Sequence, residues 1–220
     1  RAGRLFEIGS TYIPKALPLT ELPEEKEKLM IAFYGEGEDY YTIKNVIDDI
    51  FRSLAIKVNY VRSATEYLHP GRSADIFALD GTKLGVVGEI HPDVMAKLDV
   101  DKRIYVAELD VVYLVENGLD IKPFRPISKY QSVERDLALI APKELPAAEI
   151  VSLIKNSCSD LLQDAFVFDV YTGGQVQKGK KSVAVRLLFT DFTKTLTDET
   201  INKEIDNVLA GFAEKSVSLR

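Results

Sequence analysis

From Val133 onward the sequence switches repeatedly between a two-residue and a helical apolar period, and the order of the switches leaves few folds open. Val133 to Ala141 reads as a strand. Pro146 suits the first turn of a helix, along which Ala147, Ile150, Val151 and Ile154 form an apolar stripe. Ala165 to Tyr171 reads as a second strand, with Phe166, Phe168 and Val170 on one face. Gly173-Gly174 opens a hairpin whose other arm runs from Ser182 to Asp191, where Val183, Val185, Leu187 and Phe189 alternate. Thr197 is placed to cap a second helix, with Asp198 and Glu199 favoured at its positive end and Ile201, Ile205, Val208 and Phe212 along one side. Ser216 to Arg220 closes as a short strand. The order is βαββαβ, the split unit of ferredoxin-like folds: an antiparallel sheet with both helices on one face.

The preceding part is less regular. Leu5 to Ile13, Lys28 to Tyr34, Lys57 to Arg62, Ala74 to Leu79, Lys83 to Ile90 and Arg103 to Val115 are strand candidates. Asp80-Gly81 fits a two-residue hairpin turn. Asp39 can cap a helix with Ile43, Ile47, Ile50, Phe51 and Leu54 on one stripe, and a shorter helix starts at Pro92. Many sequential strands with few helices predict an antiparallel α+β module. Asn117-Gly118, Pro123 and Pro126 mark the joint, giving two domains, residues 1–122 and 127–220.

Charge divides along the same line. The chain carries a net −6, and all of it falls in residues 1–124, with 15 Lys+Arg against 21 Asp+Glu; residues 125–220 hold 13 of each. Nonspecific adhesion of the whole molecule to nucleic acid is therefore disfavoured. One Cys and two His cannot assemble the usual zinc cluster, and a single Cys excludes an internal disulfide framework, which fits a reducing, cytoplasmic location. No apolar run approaches the roughly 18 residues that cross a bilayer. The start in Arg1-Ala2-Gly3-Arg4, without an initiator Met, reads as a piece of something longer.

The densest local signal is Leu68-His69-Pro70-Gly71-Arg72-Ser73-Ala74, followed by Gly85-Val86-Val87-Gly88-Glu89-Ile90-His91-Pro92. Pro70-Gly71 predicts a tight turn, and Gly85 and Gly88 a close approach of backbones. His69, Arg72 and Glu89 either line a polar pocket or are turn residues with solvated or satisfied side chains. Cys158, near the end of an amphipathic helix, reads as an inert thiol. No phosphate-binding Gly-x-x-x-x-Gly-Lys loop and no nucleophile elbow is present.

These motifs, together with Leu5-Phe6-Glu7-Ile8-Gly9, resemble the late part of the synthetase-like core in bacterial phenylalanyl-tRNA synthetase β subunits. Lys129 to Ala138, Phe168-Asp169-Val170-Tyr171, Gly179 to Ala184, Thr195 to Glu199 and Leu219-Arg220 resemble the ferredoxin-fold anticodon-binding domain of the same family. The resemblance implies a carboxy-terminal fragment whose first module has lost catalysis and scaffolds the α subunit, while the second binds the anticodon region of tRNA(Phe). It implies ATP and Mg²⁺ for the holoenzyme and no cofactor for this fragment. Class II chemistry calls for guanidinium clamps on phosphate. The strand Phe6 to Tyr12 offers only Glu7 as a charged residue, with Arg4 just ahead, and Glu108 to Val111 has neither the glycines nor the Arg of the third motif.

Alternation then predicts which residues face RNA. With Leu137, Leu139, Phe168, Val170, Val183, Val185, Leu187, Val217 and Leu219 under the helices, the open face presents Asp136, Ala138, Ile140, Asp169, Tyr171, Ser182, Ala184, Arg186, Ser216, Ser218 and Arg220. Arg186, Arg220, Tyr171 and Ser182 are the candidates for contact with a single-stranded loop. Lys178, Lys180 and Lys181 on the hairpin are candidates for phosphate contact, and Arg135 sits on the buried parity. The competing reading for this face is a solvated surface in which Asp136 and Asp169 pair with Arg186. A second functional reading, a small-molecule-sensing regulatory module of the same βαββαβ order, is disfavoured because Ala141 to Pro146 lacks a glycine-rich turn.

Overall fold

The computed structural model describes residues 2–119, 124, 127–212 and 215–220. The connector residues Pro123 and Pro126 lie outside the described residues. The chain divides into two compact units, Arg1–Phe124 and Arg125–Arg220, each built on its own antiparallel sheet.

In the first unit six strands, β1 (Gly3–Ile13), β2 (Glu24–Tyr34), β3 (Val58–Arg62), β4 (Leu68–Ala78), β5 (Lys83–Ile90) and β6 (Ile104–Asp110), lie in the order β1-β2-β6-β5-β4-β3. Helix α1 (Tyr40–Ser53) begins where Asp39 accepts from the Thr42 amide at 2.7 Å and the Thr42 hydroxyl accepts from the Asp39 amide at 3.0 Å, a reciprocal cap. Its stripe of Ile43, Ile47 and Phe51 is buried against Ile31, Phe33, Ile76, Val87, Ala107 and Leu109 of the sheet. Each such side chain fully withdrawn from water contributes roughly 1.5–3 kcal/mol before entropy is counted. Gly85 allows β5 to lie tight on β6, because a Cβ there would overlap the Glu108 carbonyl oxygen. Gly88 likewise admits β4, with Ser73 Cβ only 2.8 Å from where its own Cβ would be.

Three expectations for this unit need correction. The run Arg103 to Val115 is not one strand: Asp110 ends β6 and caps helix α3 (Val111–Asn117), accepting from the Tyr113 amide at 3.1 Å. Period-two apolarity persists across that cap, so alternation alone could not see the switch. Pro70-Gly71 makes no tight turn; it lies inside β4, where the pairing slips between Leu68 opposite Ile90 and Ser73 opposite Gly88. Proline in a strand is tolerated at such an irregularity because it owes the ladder no amide. The β4–β5 turn spans residues 79–82 rather than two residues, with Gly81 at φ 89° and Asp80 accepting from the Thr82 amide at 2.8 Å. The short helix at Pro92 forms as α2 (Pro92–Lys97).

In the second unit β7 (Val133–Pro142), α4 (Ala147–Ser157), β8 (Leu162–Tyr171), β9 (Lys180–Phe189), α5 (Asp198–Phe212) and β10 (Ser218–Leu219) follow in chain order, and the sheet order is β10-β7-β9-β8. This is the ferredoxin-like arrangement. Pro146 occupies the cap position of α4, one residue before its first turn. Thr197 caps α5, its hydroxyl accepting from the Thr200 amide at 3.4 Å. Ile150 and Ile154 of α4 and Ile201, Val208 and Phe212 of α5 share one core with Leu139, Val183, Val185 and Leu187, so both helices cover the same face. Glu204, buried on α5, accepts from the amide and hydroxyl of Ser159, both at 2.8 Å, and ties the end of α4 to α5. Beside it, burial pushes the Cys158 thiol up to about 11, the mark of an unreactive cysteine.

Candidate nucleic-acid interface

The face of the second sheet opposite its helices is organised in rows across the strands. Register sets Phe166 beside Arg186 and Arg186 beside Asp136. The next row is Asp169, Ala184 and Ala138, reaching Arg220, whose amide donates to the Ala138 carbonyl at 2.8 Å. A third row sets Tyr171, Ser182, Ile140 and Ser218 side by side. The middle row is small at its centre; Phe166, Arg186 and Asp136 stand on one side of it, and Tyr171 and Ile140, with two serines, on the other. The two alanines therefore floor a shallow trough, with a carboxylate at one end and a guanidinium at the other.

Parity misplaced two residues of this face. Phe166 and Phe168 are not under the helices; they are 45% and 51% exposed. The cause is a bulge: Val167 stands opposite Val185 and Asp169 opposite Ala184, which leaves Phe168 as an extra residue on β8. The small Ala165 and the half-buried Val167 fill the helix side instead. Phe168 lies on the open side, its ring 5.4 Å from the Arg186 guanidinium. The face therefore carries three aromatic residues, Phe166, Phe168 and Tyr171, where alternation predicted one. A legible hint is the unbroken run Ala165-Phe-Val-Phe, which offers apolar side chains on both parities.

Arg186 is engaged. Its Nε and Nη2 donate to the two Asp136 oxygens at 2.7 and 2.8 Å, and Glu134 lies 3.3 Å away. The hydrogen bonds from Arg186 hold the Asp136 carboxyl below the usual carboxylate range, and Asp136 in turn raises the guanidinium. The pairing with Asp136 was part of the solvated-surface reading; Asp169 does not join it and has no polar partner among the described residues. Arg220 donates to Gln175 Oε1 at 3.1 Å, which ties the β8–β9 loop to the opposite edge strand.

The remaining candidates divide. Ser182 shares the open parity but is buried, 5% exposed, so it has little surface to offer a ligand. Ser216 stands outside β10 in a turn at φ 55°. Lys181 pairs across from the buried Ala141 on the helix side, and burial lowers its ammonium. Lys178 is exposed and Lys180 partly so. Arg135 is bound to Asp198 at 2.7 Å, which makes it a brace between β7 and α5. Val170 and Leu219 keep the helix-side parity yet are each 48% exposed.

In the first unit, Arg4 is held by Glu38 at 2.7 Å and lies over the Phe33 ring, so it is no free phosphate clamp. Arg72 binds the buried Glu89 through both nitrogens at 2.5 and 2.9 Å and both border a cavity, whereas His69 turns back to accept from the Gly71 amide at 3.0 Å. Among the described residues no group of three His, Cys, Asp or Glu is placed to hold a metal ion, and no helix is long and apolar enough to cross a membrane.

Fold and face together define a two-unit α+β protein whose second unit is a ferredoxin-fold module with an aromatic and arginine-bearing bare sheet. Residues 1–111 match the phenylalanyl tRNA synthetase beta chain CLM domain, and residues 128–220 match the ferredoxin-fold anticodon binding domain. The chain belongs to the phenylalanyl-tRNA synthetase beta-chain family. It is 36% identical over 208 residues to the phenylalanine–tRNA ligase beta subunit of Clostridium tetani, covering 94% of this chain and 26% of that protein. It is 36% identical over 228 residues to the corresponding subunit of Staphylococcus haemolyticus, covering 99% of this chain and 28% of that protein. The chain thus spans about a quarter of the length of these relatives.

Proposed function

We propose that this chain is a non-catalytic portion of a phenylalanine–tRNA ligase β subunit, acting in the cytoplasm, and that its second unit binds the anticodon region of tRNA(Phe). The observation that carries the reading is the trough over Ala138 and Ala184, bounded by Phe166, Phe168 and Arg186 on one side and Tyr171 on the other. Same-face neighbours along a strand stand about 6.6–6.8 Å apart, so the larger side chains of the two flanking rows leave room for one base lying on the alanines. An unpaired base there stacks against aromatic rings, offers donors on its edge to Asp169, and brings its phosphate within reach of Arg186 or Arg220. Lys178 and Lys180 add phosphate contacts that position the strand without reading it.

The first unit acts as scaffold for the α subunit, which supplies the ATP- and Mg²⁺-dependent chemistry of the holoenzyme. Its Arg4 is committed to Glu38, in keeping with that division of labour. The isolated chain is expected to show no ATP–pyrophosphate exchange; exchange above background would refute the assignment.

The trough is tested by filling it. Ala184→Leu adds bulk on the open face and is expected to weaken binding of the tRNA(Phe) anticodon stem-loop at least tenfold while leaving the melting temperature near that of the parent. Phe168→Ala removes one stacking surface, worth about 1–3 kcal/mol per base, and should weaken binding by a factor of about 5 to 160. If fluorescence anisotropy gives parental affinity for both variants, the RNA does not lie on this face.

A further inference from the structure

One feature of the first unit serves neither its core nor the RNA face. A cavity of about 370 Å³ opens beside α2, lined by the apolar Ile90, Met95 and Val100 and by the charged Arg72, Glu89 and Arg103. The Glu89 side chain is only 4% exposed, and both of its oxygens are taken by the Arg72 fork. Arg103 is the second cation on the same carboxylate. Its Nε stands 3.9 Å from Glu89 Oε1, beyond hydrogen-bond reach, and 71% of its side chain is exposed. Two guanidiniums around one carboxylate leave a surplus positive charge, and the donors of Arg103 border the cavity. Asp101 and Lys102, which also line it, oppose each other in charge.

We propose that this cavity binds a small monocarboxylate bearing an apolar chain, its carboxylate gripped by Arg103 and its chain laid on Ile90, Met95 and Val100. A planar guanidinium matches a carboxylate through two parallel hydrogen bonds, the strongest common pairing for that group. One surplus charge suits a monoanion better than a phosphate dianion, which would leave negative charge uncompensated beside buried Glu89. The volume lies at the small end of ligand pockets, so the chain is short, about four to eight carbons. The inference is independent of the RNA reading, since it concerns the other unit and another class of ligand.

The test is an NMR titration of the isotope-labelled 220-residue chain with hexanoate, and separately with hexanamide, hexylamine and inorganic phosphate. Saturable shifts at Ile90, Met95 and Arg103 are expected with hexanoate, and at least tenfold weaker binding with each of the other three. Arg103→Gln removes the charge while leaving a polar side chain at a largely exposed position, so it is expected to fold as the parent does and to bind hexanoate at least tenfold more weakly. Non-saturable shifts with hexanoate, equal binding of the amide or the amine, or parental affinity in Arg103→Gln would each overturn the proposal. Tighter binding of phosphate would overturn the choice of a monocarboxylate.

Discussion

Arg186 is claimed by Asp136 before any ligand arrives, so RNA that takes this guanidinium must displace a carboxylate from it. The pair is partly exposed, so solvent screens it and a phosphate can compete for the guanidinium. Asp136→Asn removes both the competitor and a negative charge from the face. We expect the stem-loop to bind severalfold more tightly to Asp136→Asn and about tenfold more weakly to Arg186→Gln. Unchanged affinity in both would show that Arg186 does not touch the RNA. The pH behaviour follows from the sign of the shift. The folded Asp136 carboxyl sits below its ordinary value of 3.8, so whatever the pair contributes is complete above that value and fades only as pH falls through the lowered one. Between pH 5 and 8 the pair is therefore expected to leave both stability and RNA affinity flat.

At the scale of elements, what alternation could read and what it could not are separated by local departures from regular pairing. The βαββαβ order was visible because each helix has a continuous stripe and β7 and β9 alternate on their helix side, where Leu137 faces Val185 and Leu139 faces Val183. The face of β8 was misread because one inserted residue at Phe168 changes parity midway, and an apolar residue on either side of the bulge hides the change. That single slip decides the site, since it moves two phenylalanines from the predicted core to the predicted RNA face. In the first unit the cap at Asp110 turned a strand into α3, and the slip after Leu68 turned an expected turn into strand. The glycines were better signposts, because their role is steric and does not depend on parity. Gly85→Ala would drive a Cβ into the Glu108 carbonyl and force β5 away from β6 in the middle of the sheet. Overpacking of this kind costs about 1–3 kcal/mol and more where backbone must move. Urea unfolding of the variant should lose at least that much; a parental midpoint would mean that the two strands are not so closely paired.

For the molecule as a whole, the proposed division of labour draws on two separate cores and an uneven charge. The buried cluster around Ile47 and Phe51 draws only on the first unit, and that around Val183 and Phe212 only on the second. The second unit thus has the means to fold alone, and residues 125–220 are electrically balanced where residues 1–124 carry all of the net −6. A polyanion approaching the first unit meets net repulsion; approaching the second, it meets Arg186, Arg220, Lys178 and Lys180 against Glu134, Asp136 and Asp169. We therefore expect the second unit, expressed as residues 125–220, to bind the anticodon stem-loop at least as tightly as the 220-residue chain. Each phosphate neutralised on a single strand contributes about −0.7 to the slope of log affinity against log salt. Two to four contacts from those cations then predict a slope of roughly −1.4 to −2.8. A slope near zero with retained affinity would leave stacking in the trough as the whole of the interaction. Loss of binding in the shorter chain, with its fold intact by circular dichroism, would mean that RNA is held by a surface outside the second unit.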